Sequence, residues 1–106
     1  MPTIIRVDQI SDHNEKEVCI QGWVYNRTNK GKLVFLLVRD GSGFVQCVAF
    51  KGDLEESLFN RVMHLPQESS VRITGKVRSD NRAPGIPGGF EIGVKEIEII
   101  QEANDD

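Results

Sequence analysis

The feature that most constrains this chain is a series of short apolar–polar alternations, broken once by a stretch of helical period. Val71 to Val77 alternates cleanly, with Val71, Ile73, Gly75 and Val77 on one side and Arg72, Thr74, Lys76 and Arg78 on the other. A period of two predicts a strand with one wet face. Val18 to Asn26 is rich in β-branched and aromatic residues and carries Val18, Ile20 and Val24 on one parity. Leu33 to Arg39 is apolar enough to be covered on much of both faces, and Phe44 to Phe50 follows it. Between them, Asp40-Gly41-Ser42-Gly43 suits a tight turn, so these two strands form a hairpin. Phe90 to Ile100 is the last predicted strand, with an irregularity expected before Ile97. Between Gly52 and Pro66 the period changes. Leu54, Leu58, Val62 and Leu65 form one helical stripe, with Asp53 as the expected N-cap, Glu55 and Glu56 in the first turn, and Pro66 as the stop.

The order is therefore β-β-β-α-β-β. That is the order of an all-β, five-stranded Greek-key barrel of the oligonucleotide/oligosaccharide-binding (OB) type, with one helix between strands 3 and 4. At 106 residues the chain reads as a single domain over 1–106, with an acidic tail from about residue 101 to 106. Pro84-Gly85-Ile86-Pro87-Gly88-Gly89 reads as one long loop between the fourth and fifth strands, not as a domain boundary. The longest strongly apolar stretch, Leu33 to Val38, is too short to span a membrane. The amino end lacks the basic start and apolar core of a signal peptide. Cys19 and Cys47 lie within strand-like runs, which predicts reduced thiols and a cytoplasmic location.

A net charge of −3 argues against a generic polyanion binder, but charge is segregated along the chain. Residues 20–51 carry Arg27, Lys30, Lys32, Arg39 and Lys51 against Asp40 alone. Residues 71–95 carry Arg72, Lys76, Arg78, Arg82 and Lys95 against Asp80 and Glu91. The other segments are net acidic. A fold that gathers the two basic segments offers one positive face; otherwise they are solvated strand faces.

In an OB barrel, strands 2–3 and the loops after strands 1 and 4 hold the ligand. The first of these loops, Arg27-Thr28-Asn29-Lys30-Gly31-Lys32, has three cations in six positions. Strand parity puts Phe35, Leu37 and Arg39 on one face and Phe44, Gln46 and Val48 on the matching face of the next strand. Phe35 beside Gln46, ringed by Arg27 and Lys30, suits single-stranded nucleic acid: the ring stacks on a base, the amide reads a base edge, and the cations hold phosphates. Each residue also has a plainer reading. Phe35 can be core, Gln46 a solvated polar residue, and Arg39 the partner of Asp40 at the hairpin end.

No catalytic constellation emerges, and the chain alone is not expected to be an enzyme. His13, His64, Cys19 and Cys47 share no metal-ligating spacing. Gly41 and Gly43 lack the lysine and following helix of a phosphate-binding loop, and Ser42 reads as a turn residue.

Four segments in order resemble one family: Gly22-Trp23-Val24-Tyr25-Asn26-Arg27; Gly31 to Asp40; Gly41-Ser42-Gly43-Phe44-Val45-Gln46; and Arg82-Ala83-Pro84-Gly85 with Gly88-Gly89-Phe90-Glu91. Together they resemble the N-terminal anticodon-binding domain of class II asparaginyl-tRNA synthetases, of the aspartyl/asparaginyl subclass. The resemblance implies recognition of a tRNA anticodon loop, that of tRNA-Asn, with Phe35 under the central uridine of the anticodon. It implies that Gln46 hydrogen-bonds anticodon bases and that Arg27 holds a phosphate or base near the anticodon's 3′ end. Glu91 falls near the position that reads the first anticodon base, while Lys30 and Lys32 join the set from charge and loop position. Two departures stand out. Ile86-Pro87-Gly88 is inserted into the family's Arg-Ala-Pro-Gly-Gly loop, and none of the class II catalytic motifs is present. The resemblance implies no cofactor in this domain, with ATP and Mg belonging to the catalytic domain of a parent asparagine–tRNA ligase that is homodimeric. A free-standing single-strand or tRNA-binding accessory protein of the same fold is the alternative. A protein-interaction module that buries Phe35 is a third reading.

Overall fold

A computed structural model of the chain describes residues 3–103. Its strands are β1 (Thr3–Ile4), β2 (Glu17–Lys30), β3 (Leu33–Arg39), β4 (Phe44–Phe50), β5 (Ser70–Ser79), β6 (Gly85–Ile86) and β7 (Phe90–Gln101), with one α-helix, α1 (Glu56–Met63), between β4 and β5. The five long strands pair in the order β2-β3-β4-β7-β5, and β5 pairs back onto β2 to close a barrel. All neighbours are antiparallel except β4 and β7. This is the five-stranded OB barrel expected from the order of the elements.

Closure depends on β2. Its first half, Glu17 to Trp23, pairs with β5, and from Trp23 to Lys30 it pairs with β3. One strand serves both sheets by bending where the register slips at Tyr25. Gly22 lies at this bend, where a Cβ would come within 2.2 Å of the Arg39 carbonyl oxygen, so only glycine lets the two backbones meet. The irregularity expected in the last strand is also present: the β5–β7 register skips Lys95, which lies between the partners of Gly75 and Thr74.

Alternation fills the interior. Val18, Ile20, Val24, Val34, Leu36, Val38, Val45, Cys47, Ala49, Val71, Ile73, Val77, Ile92 and Val94 all point inward and are buried. Phe59 and Val62 of α1, with Leu65, join the same core. The helix is shorter than its stripe predicts. Lys51–Asp53 instead forms a 3-10 turn, tied by the Lys51 amide donating to the Lys32 carbonyl at 2.9 Å. Asp53 therefore is not the N-cap; Glu55 is, and Leu54 lies before the helix. The chain has to turn off β4 before it can enter the helix, and that turn takes up Asp53.

A 3-10 segment, Val7–His13, lies before β2 and buries Val7 and Ile10. It is anchored to the β3–β4 turn, where the Val7 amide donates to Asp40 Oδ2 at 2.9 Å and the Asp8 amide to Ser42 Oγ at 3.1 Å. The acidic tail expected from residue 101 falls partly on structured chain. Gln101 ends β7, and the Ala103 amide donates to Ser69 Oγ at 2.9 Å. Residues 104–106 lie outside the described residues. Among the described residues, no helix is long and apolar enough to cross a membrane.

Candidate nucleic-acid interface

Because adjacent strands keep their side chains in step, the outer face is arranged in rows. One row runs Asn26, Leu37, Gln46, Glu91, Arg78 across β2, β3, β4, β7 and β5. The next runs Thr28, Phe35, Val48, Gly93, Lys76. Phe35 and Gln46 thus sit on neighbouring rows of one face, and Glu91 is directly opposite Gln46. A depression of about 260 Å³ is lined by Asn26, Thr28, Phe35, Leu37, Gln46 and Pro84. Pro84 belongs to the loop after β5, so that loop reaches the same face as the β3–β4 hairpin.

Phe35 is half-buried, on the outer side of β3, while its neighbours Val34 and Leu36 fill the core. It is therefore not a core residue. Glu91 is held by Arg78 at 3.3 Å and its side chain is 17% exposed, enough to keep an acceptor at the surface. With the Ile86-Pro87-Gly88 segment in place, Glu91 stands opposite Gln46. Gly85 and Ile86 form β6, which pairs with Val45 and Phe44. The Asp80 amide then donates to Gly89 at 3.0 Å and closes the loop, so that β7 begins in register with β4.

The remaining expected residues divide. Lys30 stands opposite Leu33 on the outer face, and Lys32 follows in the turn; both are exposed. Arg39 shares the outer face but lies at its far end. Its guanidinium sits 5.4 Å from the Trp23 ring centroid and pairs with Glu68, not with Asp40. Arg27 pairs with Leu36, an inward residue, so it lies on the other side of β2 from Phe35. Its Nε donates to the Leu65 carbonyl at 3.0 Å and its Nη1 to Asn29 Oδ1 at 3.1 Å, which ties the chain after α1 to β2. The slip at Tyr25 reverses the parity between Val24 and Asn26, and that reversal removes Arg27 from the row a simple count assigns to it.

Asp40 organises the turn behind this face. Burial opposes its charge, but the Ser42 hydroxyl and the amides of Val7, Ser42 and Gly43 outweigh that and hold its carboxyl below the ordinary range. Cys47 lies beneath the face, where burial and the nearby Glu91 charge push its thiol far up. Among the described residues, no three His, Cys, Asp or Glu side chains gather as a metal site. Polar and aromatic groups in rows, flanked by cations and two loops, can stack bases and hydrogen-bond their edges.

The sequence pattern of the OB-fold nucleic acid binding domain family, tRNA anti-codon, matches residues 18–100. The chain belongs to this family. Within it, this anti-codon domain is 52% identical over 97 residues to the asparagine–tRNA ligase of Roseiflexus sp., covering 92% of the chain and 21% of that protein. It is 44% identical over 94 residues to the asparagine–tRNA ligase of Thermus thermophilus, covering 89% of the chain and 21% of that protein. Its structure matches that of asparaginyl-tRNA synthetase from Pyrococcus horikoshii complexed with asparaginyl-adenylate. The TM-score there is 0.89 at 36% identity, covering the whole chain and 24% of the synthetase. The anti-codon domain thus spans about a fifth of the length of the curated relatives it matches.

Two features of the face escaped sequence reasoning. Pro84 was legible as part of the loop after the fourth strand but not as a wall of the Phe35–Gln46 depression, because where one residue of a loop lands depends on the strands that carry it. The Glu91–Arg78 pair joins residues on two strands, and only the β5–β7 register brings them together.

Proposed function

We propose that this domain binds the anticodon loop of tRNA-Asn and serves as the recognition module of an asparagine–tRNA ligase. The observation that carries the reading is the pair of adjacent rows. They set Phe35, Gln46 and Glu91 side by side on the outer face, with Pro84 of the loop after β5 beside them. Phe35 stacks on the central uridine, Gln46 reads base edges, and Glu91 accepts from the first anticodon base. Lys30 and Lys32 meet the phosphates. Arg27 and Arg39 act by position, Arg27 holding β2 to the chain after α1 and Arg39 fixing Trp23 at the end of the face. In the parent enzyme, a cytoplasmic homodimer, ATP and Mg belong to the catalytic portion, and the free energy of anticodon reading selects the tRNA. The two free, buried thiols Cys19 and Cys47 support a reducing compartment.

The test is fluorescence anisotropy of a labelled tRNA-Asn anticodon stem-loop at about 50 mM salt, where phosphate contacts are still strong. Saturable binding that disappears when the central uridine is replaced is the expected result. Equal binding to both loops sinks the anticodon reading in favour of a generic single-strand binder.

A further inference from the structure

We propose that Phe50 is a second stacking platform, which takes one further base of the bound RNA beyond those facing Phe35 and Gln46. This inference rests on the RNA-binding reading above and extends it. Phe50 ends β4 on the outer face, opposite Leu33, and is 42% exposed. Trp23 and Tyr25 are about as exposed, so exposure alone does not single out Phe50; what does is its place at the end of the ligand face and on the wall of a groove that continues from the Phe35 row.

The ring is also braced. A Cβ added to Gly52 would fall 2.7 Å from Cε2 of Phe50, so the ring rests against the bare backbone of the 3-10 turn at Lys51–Asp53. Beside it runs an open groove of about 480 Å³ lined by Leu33, Val48, Phe50, Asp53, Lys76 and Lys95 among others. Val48 is the cross-strand partner of Phe35, so the groove continues directly from the Phe35 row.

Charge defines what the groove accepts. Lys76 and Lys95 are paired with Glu15 at 3.3 Å and Glu17 at 3.0 Å, so they add little net positive potential. Lys30, Lys32 and Lys51 have no ion-pair partner among the described residues. Lys30 shares a row with Phe50, with Leu33 between them, and Lys51 is bonded through its amide to Lys32. These three cations edge the same end of the face and suit a phosphate. The Asp53 carboxylate on the groove wall repels a phosphate but accepts from a base amino group or a ribose 2′-hydroxyl. Base and sugar therefore enter the groove, and the phosphate lies toward the lysines.

The test titrates wild type, Phe50→Ala, Phe50→Trp, Phe50→Leu and Phe35→Ala with the tRNA-Asn anticodon stem-loop. The same proteins are titrated with loops made abasic at each single position flanking the anticodon triplet. Expected is a loss of about tenfold or more for Phe50→Ala and Phe50→Leu, and near-wild-type affinity for Phe50→Trp, as for one stacked base. One abasic position should weaken wild type but leave Phe50→Ala unaffected. Thermal melts of each variant establish that the loss is not unfolding, and Phe50→Leu keeps an apolar contact with Gly52 if Phe50→Ala melts early. If Phe50→Ala and Phe50→Leu bind as wild type while Phe35→Ala is weakened, the second platform is wrong and the anticodon reading stands. If wild type does not bind the stem-loop, both fall.

Discussion

Gln46 and Glu91 stand opposite one another across the parallel pairing of β4 and β7, and Arg78 on β5 holds the Glu91 carboxylate from the other side at 3.3 Å. These two acceptor-bearing side chains therefore come from strands far apart in sequence, and the barrel's one parallel pairing between long strands sets their spacing.

Replacing Glu91 by alanine should weaken binding of the cognate stem-loop by about 1.5–3 kcal/mol, the scale of a hydrogen bond to a charged group. On the proposed reading, in which the carboxylate accepts from the first anticodon base, the loss should depend on the identity of that base. Anisotropy titrations with each first-position base check it. A uniform loss across all four bases would mean that Glu91 only positions Arg78.

Phe35 and Phe59 separate binding from stability. Phe35 is half-buried on the outer face, whereas Phe59 is 2% exposed in the core. Phe35→Ala should cost about 1–3 kcal/mol of RNA binding with little change in melting temperature. Phe59→Ala should cost roughly 3–5 kcal/mol of folding stability. Denaturant melts and RNA titrations of both variants test the contrast, and a large stability loss for Phe35→Ala would return the face to a packing role.

Asp40 should make stability depend on acid. Its folded pKa lies below its ordinary value, so ionised Asp40 stabilises the fold above that ordinary value, and the contribution is lost as pH falls through the lowered folded value. Asp40→Asn should be less stable near neutrality and show a flatter acid limb in melting temperature against pH. An unchanged acid limb would count against the hydrogen-bond cluster at the turn.

Arg27 should matter to the fold more than to the ligand. Arg27→Ala removes the bond to the Leu65 carbonyl and should lower stability by about 1 kcal/mol. RNA affinity should change less than for Phe35→Ala. A large loss of affinity with an unchanged melt would place Arg27 in contact with RNA instead.

The local pattern decided much of the barrel. A short apolar run and the glycine-rich turn that follows it marked β3, whereas period-two alternation marked β5 most clearly, because one face lies against the core and a buried face tolerates few polar residues. The helical stripe was legible for the same reason, though its start was not. The match of Leu54 to the stripe concealed a 3-10 turn that depends on the Lys51–Lys32 backbone bond. The short β1, β6 and the segment Val7–His13 carried no comparable signal, because tertiary partners such as Asp40 and Ser42 stabilise them more than their own propensities do.

The candidate face divides in the same way. By itself the sequence determined which side chains share a strand face, since parity is a property of one segment: Phe35 with Leu37, Gln46 with Phe44 and Val48. Only the tertiary structure decided which of those faces meet. The bulge at Tyr25 turned Arg27 away, β6 absorbed the inserted loop so that Glu91 met Gln46, and the turn after β4 brought Gly52 under Phe50. The physical reason is that register and bulges are set by the closure of the whole sheet, where one added residue reverses every side chain beyond it.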